Sequence, residues 1–165
     1  MAGTVVFEKL PKSLDEMKAL PQAAMTTIED TAALTIAALA LYPENKEESL
    51  AMLDWLRGPR PMSPMEKQFI NDRFMDGKEY LARSYFKGSS PDNSYTPDQP
   101  FTLEFIVDTA PMADEGYKRL YIKSGGADSP RPITLRIKPS EGKWYLWEQM
   151  LLAGIRIPVA EDPWA

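Results

Sequence analysis

Three sets of residues in this chain of 165 could do chemistry, and none contains a histidine or a cysteine, because the sequence has neither. That removes disulfides, thiol nucleophiles, Cys/His zinc sites, Ser-His-Asp triads and imidazole proton shuttles. Any reaction must run on carboxylates, Lys, Tyr or Ser/Thr. The first set is KSGGADSPRP at 123–132. Backbone N–H groups at Gly125 and Gly126 could form an anion-binding nest, with Lys123 and Arg131 adding charge. The stretch lacks the Gly-Lys-Ser/Thr ending and following helix of a phosphate-binding loop. Turn chemistry accounts for every residue except the flanking charges, so a hairpin loop is the expected role.

The second set is one face of a sheet. If Leu120, Ile122, Ile133, Leu135 and Ile137 pack on helices, then Tyr117, Arg119, Tyr121, Lys123, Arg136 and Lys138 share the opposite side. Basic residues interleaved with aromatics are what single-stranded nucleic acid needs, but Lys, Arg and Tyr are also ordinary residents of a solvated antiparallel face. The third set is Trp144, Tyr145 and Trp147 with Phe101, Phe105 and Tyr121. On a curved sheet these could line a small-ligand pocket between sheet and helices, with Glu104, Glu148 and Arg136 as its polar groups. Core packing is the expected role of such aromatics. Asp92, Asn93 and Asp98 are spaced neither as a calcium loop nor as a cage, and no metal or cofactor is expected.

Net charge is −5, which disfavours bulk binding to nucleic acid or anionic membrane. The N-terminus has no basic region followed by a long apolar core, and the apolar run AALTIAALALY at 32–42 is far short of the roughly 20 residues that span a bilayer. A cytoplasmic protein without a membrane segment is expected.

Positioning falls to two halves of one domain, 1–165: a helical half over about 1–87 and a strand-rich half over about 100–165. A short alternating segment lies at Thr4–Glu8. Ser13 with Glu16, Thr26 with Glu29, and Asn45 with Glu48 each place a capping residue three before a carboxylate. SPME at 63–66 adds Pro at the first helical position and is the strongest start signal. The 32–42 run predicts a buried helix. Leu50, Leu53 and Leu56 make the inward stripe of the next, which Arg57-Gly58-Pro59 ends. Met65, Phe69 and Ile70 or Phe74 are expected to face inward on the last. After GSSPDNSYTPDQP the period falls to two, in four strands at hairpin spacing. The fold expected is α+β, with N-terminal helices on one face of a C-terminal antiparallel meander of about four strands. The tail GIRIPVAEDPWA is too apolar to be idle and is expected to strap back over its own domain.

The segments RSYFKGSSPDNSYTPDQPFT, LYIKSGGADSPRPITLR, GKWYLWEQMLLAGIRIP and EDPWA, with LDWLRGPRPMSPMEKQFINDRF before them, resemble an uncharacterised family of small bacterial proteins, a domain of unknown function. The resemblance covers roughly 50–165 and implies a bacterial source, but it implies no activity. EGKWYLWE at 141–148 is also similar to the Gly-Lys-Trp turn of cone-shaped, nuclear-transport-factor-like folds, a likeness that speaks to shape alone. The function expected is a non-catalytic interaction module inside the cell, binding a protein partner or itself. The alternatives are a small-ligand-binding protein or enzyme and, last, a single-stranded nucleic-acid binder.

Overall fold

The computed structural model describes residues 2–108, 110, 112 and 114–165. Five strands, β1 (Ala2–Phe7), β2 (Phe101–Val107), β3 (Tyr117–Ile122), β4 (Arg131–Lys138) and β5 (Lys143–Gln149), form one antiparallel sheet in the order β1-β2-β3-β4-β5. Four α-helices sit between β1 and β2 in the chain: α1 (Leu14–Lys18), α2 (Ile28–Leu41), α3 (Lys46–Arg57) and α4 (Pro64–Phe74). The fold is therefore α+β as the sequence implies. Its fifth strand is the N-terminal segment, which pairs with β2 from Ala2 opposite Ile106 to Phe7 opposite Phe101.

The helix starts follow from side-chain oxygens that satisfy orphan N–H groups. Ser13, Asn45 and Ser63 accept from the amides of Glu16, Glu48 and Glu66, and Ser63 with Glu66 forms a complete capping box. The α2 cap falls one residue later than expected, on Thr27, which accepts from Asp30 N–H. A 3-10 turn over Pro21–Ala24 closes on Met25 in left-handed conformation, and this displaces the start.

Helix α2 is the centre of the core: Ala32, Ala33, Leu34, Ile36, Ala38 and Leu39 are shut from solvent. Its alanines bring it onto the sheet face formed by Leu103, Phe105, Leu120, Ile122, Ile133 and Leu135. Buried hydroxyls in this layer have acceptors, as burial demands. Thr31 Oγ1 donates to the Trp144 carbonyl at 2.6 Å and Ser49 Oγ to the Ala38 carbonyl at 2.7 Å.

Helix α4 departs from expectation. It carries two i,i+4 rows, Met65–Phe69 and Ile70–Phe74, and only one can face the core. Ile70 and Phe74 are buried, with Phe74 stacked on Tyr42 at 4.7 Å, whereas Met65 is 82% and Phe69 50% exposed. Ile137, expected on the helix side, is only half-buried near the end of β4. On α3, Leu53 and Leu56 face the core as expected, Met52 joins them, and Leu50 is half-buried.

The tail docks on its own domain only over its first residues: Arg156 N–H donates to the Gly126 carbonyl at 2.8 Å and the Gly154 carbonyl accepts from Arg131 at 2.9 Å. Leu151 and Leu152 just before it are buried, and the Tyr85 hydroxyl donates to the Leu151 carbonyl, whereas Ile157, Val159 and Trp164 of the tail itself are exposed.

Candidate functional site

Two adjoining concavities lie along β5, where α3 turns into α4. The larger, about 410 Å³, is walled by Met62, Met65, Phe69 and Ile70 on one side and Leu146, Trp147, Glu148 and Gln149 on the other. The smaller, about 280 Å³, lies among Pro59, Arg136, Ile137, Lys138, Pro139 and Tyr145. Arg57, Arg60, Leu146 and Trp147 belong to both walls.

The chain reaches this place because of Gly58. It ends α3 at φ +60°, and a Cβ there would collide with the Tyr145 ring. Only glycine combines that left-handed φ with so close an approach. Pro59 and Arg60 are then laid over the β5 edge, where Arg60 Nη2 donates to the Trp147 carbonyl at 2.7 Å. The same edge is closed further along by Trp144 N–H, which donates to the Met25 carbonyl at 2.9 Å. Blocking an edge in this way prevents strand addition.

Trp147 owes its position to a bulge. Leu135 faces Leu146 and Thr134 faces Glu148, so Trp147 is the extra residue on β5. A bulge of this kind re-aims a side chain. The Trp147 ring meets Arg60 Cζ at 3.8 Å, Arg136 Cζ at 4.9 Å and the Tyr117 ring edge-on at 5.2 Å, each measured to its centroid.

Arg57 is the anchor, its side chain only 6% exposed. Its Nη1 bonds Glu66 Oε2, while Nε and Nη2 have no hydrogen-bond partner among the described residues. Glu66 also accepts from the Ser63 N–H at 3.3 Å, completing the α4 cap. Burial pulls the Glu66 carboxyl upward, but the hydrogen bonds from Arg57 and Ser63 and the guanidinium charge outweigh it. The carboxyl therefore stays below its ordinary 4.5. A carboxyl lowered on folding adds stability above its unfolded value and loses it as pH falls through the folded value. Glu66→Gln will thus cost about 2 kcal/mol at pH 7, less than the roughly 3–5 kcal/mol of a fully buried pair, because Glu66 is 45% exposed. Urea titrations of the two proteins will converge as pH falls below 4.5; a gap independent of pH would disprove the charged pairing.

The tyrosines serve as donors. Burial, then the hydrogen bond to Glu141 at 2.6 Å, pushes the Tyr145 phenol up to about 12. Burial, then Tyr80, pushes Tyr95 up to about 12, and burial raises Tyr85 as well. All three are protonated at neutral pH.

Of the residues singled out in sequence, Arg136, Lys138, Tyr145, Trp147 and Glu148 line these concavities, and Tyr117 packs on the Trp147 ring. Tyr121 shares their sheet face but pairs with Pro132, further along β4. Trp144 points to the helix side, opposite Ile137. Phe105 joins it on that side, so the sheet divides the aromatic set. Lys123, Gly125 and Gly126 lie past the end of β3 and Arg131 opens β4 opposite Ile122, all at the end of the strands far from the cleft. Gly125 N–H donates to the Ser84 carbonyl at 2.8 Å, Lys123 Nζ lies 3.9 Å from Glu104, and Arg131 Nε donates to the Ala153 carbonyl at 3.0 Å. Sequence reasoning missed Arg57 and Arg60. The signal was present in RGPR, two residues before the SPME cap, where a helix-ending cation is followed by a second cation with only a glycine and a proline between them.

Among the described residues no helix is long and apolar enough to cross a membrane. No curated protein and no solved structure matches this chain. Residues 9–159 match the model of a domain of unknown function, DUF6935, and the chain belongs to that family.

Proposed function

We propose that this protein is a non-catalytic interaction module of a bacterial cell, and that the cleft along β5 receives its partner. One observation carries the reading: α4 turns its Met65–Phe69 row outward, beside Trp147, along an open trough of about 410 Å³. Exposed Met and aromatic residues around a concavity are the composition of a binding surface. The sequence has no His or Cys, the residues most often used as general bases and nucleophiles, and Tyr145, the tyrosine in the cleft wall, is held protonated and so is no base at neutral pH, which favours binding over catalysis.

Native mass spectrometry of the protein gently purified from its source cell tests this. The wild type will carry a companion of defined mass. Phe69→Glu, a change at a half-exposed position that spares the core, will weaken it by about 30-fold, the effect of losing one central contact of about 2 kcal/mol. A wild type recovered alone, or a companion kept equally by the variant, would overturn the proposal.

A further inference from the structure

The smaller concavity has a chemistry that the binding reading leaves open. Arg57, Arg60, Arg136 and Lys138 lie in its wall and no carboxylate does, in a chain whose net charge is −5. Glu66 neutralises Arg57, and Glu141, 3.1 Å from Lys138, neutralises that lysine. Arg60 and Arg136 have no carboxylate partner among the described residues, although both lie within 5 Å of the Trp147 centroid. Cations lining one concavity repel one another, and an anion taken up there offsets the repulsion.

The donors are also set for one. A guanidinium stacked on an aromatic ring is held in place while its in-plane N–H groups stay free to fork onto an oxyanion. Arg60 uses one such donor on the Trp147 carbonyl. Arg136 stacks on both Trp147 and Tyr117 and donates to no described residue. Behind them the buried Arg57 holds Nε and Nη2 without an acceptor. Buried donors of this kind are normally paired, and Arg57 lines the same wall as Arg60 and Arg136.

We infer that this concavity is an oxyanion site, taking a phosphate or carboxylate group between Arg60 and Arg136, with Arg57 behind and Lys138 at the rim. The inference rests on the binding-module reading and names the chemistry of what the module receives. At about 280 Å³ the space suits a small organic anion or the acidic end of a partner's side chain.

The test is an NMR titration of the ¹⁵N-labelled full chain at neutral pH with sodium phosphate and, separately, with a tetraglutamate peptide, each against sodium chloride of equal ionic strength. Saturable shifts will appear at residues 57–60 and 136–138 and at the arginine Nε signals. Phosphate will give the tighter curve if a free anion is the ligand, and tetraglutamate if an acidic segment is. Arg136→Gln will weaken the tighter probe by about tenfold, the loss of one charge-assisted hydrogen bond. Arg60→Gln, at an exposed position, supplies a second variant that leaves the core untouched. Shifts no larger than those from chloride with both probes, or shifts unchanged in both variants, would overturn the inference. If that happens while Phe69→Glu still releases the companion, the module stands without an anionic ligand. If both fail, both ideas go.

Discussion

Ending the chain after Gln149 will yield a protein with no cooperative thermal transition at or above 25 °C, whereas ending it after Asp162 will change the melting temperature by less than about 2 °C. The contrast follows from where the tail is buried. Leu151 and Leu152 are 0% and 4% exposed, and losing a buried leucine side chain costs about 2–5 kcal/mol. Their removal also strands the buried Tyr85 hydroxyl, whose acceptor is the Leu151 carbonyl, at about 1–3 kcal/mol. Arg131 loses the carbonyls of Ala153 and Gly154, at 3.0 and 2.9 Å. Together these losses are comparable with the roughly 5–15 kcal/mol that hold a whole domain folded. Pro163, Trp164 and Ala165 are by contrast exposed, Trp164 at 92%. Circular dichroism melts of both truncations decide the matter: a sharp transition in the shorter chain, close to that of the full one, would show that the strap is dispensable.

Much of the fold was legible because its signals are local. A capping box such as Ser63 with Glu66 is written within four residues, and the alternation of Leu120 with Ile122 and of Ile133 with Leu135 states which face of a strand goes inward. What could not be read depends on partners distant in sequence. The alternation at Thr4–Glu8 does not reveal that β1 crosses the whole helical half to pair with β2. The two rows of α4 are equally apolar in sequence, and Tyr42, more than twenty residues earlier, selects Phe74 by stacking on it.

The candidate site divides along the same line. Arg136 was legible as an outward residue of β4 and Trp147 as part of an aromatic strand. Their meeting depends on a bulge that no residue of β5 announces. Arg57 read as the cation that closes a helix dipole. Its burial depends on Glu66 arriving from the next helix and on the Tyr145 ring arriving over Gly58 from a strand much later in the chain. Residues placed by turns and by tertiary approach are thus the ones the sequence hides, and here they are the cations Arg57 and Arg60 that link the two concavities.

The glycines of the 123–132 stretch give the other large effect. Gly125→Ala will lower stability by about 3 kcal/mol, the upper part of the usual range for forcing atoms into a packed site, and the melting temperature by about 6–12 °C. Gly125 is not needed for a left-handed φ. A Cβ at this position would overlap the Ser89 carbonyl oxygen, a backbone atom with no rotamer by which to retreat. The Gly125 N–H itself is committed to the Ser84 carbonyl at 2.8 Å, and Ser124 Oγ donates to Ser84 Oγ at 2.9 Å. The loop is thereby sewn to the segment before β2, with its N–H groups directed into the protein. Gly142→Ala supplies the comparison. That glycine has φ +67° and nothing within 4 Å of an added Cβ, so its substitution costs only backbone strain, about 1–2 kcal/mol. If close approach is what Gly125 provides, its variant will be clearly the less stable of the two in parallel urea titrations. Equal losses would mean that the seam yields, and that the loop's amides are free enough to be tested again as an anion nest.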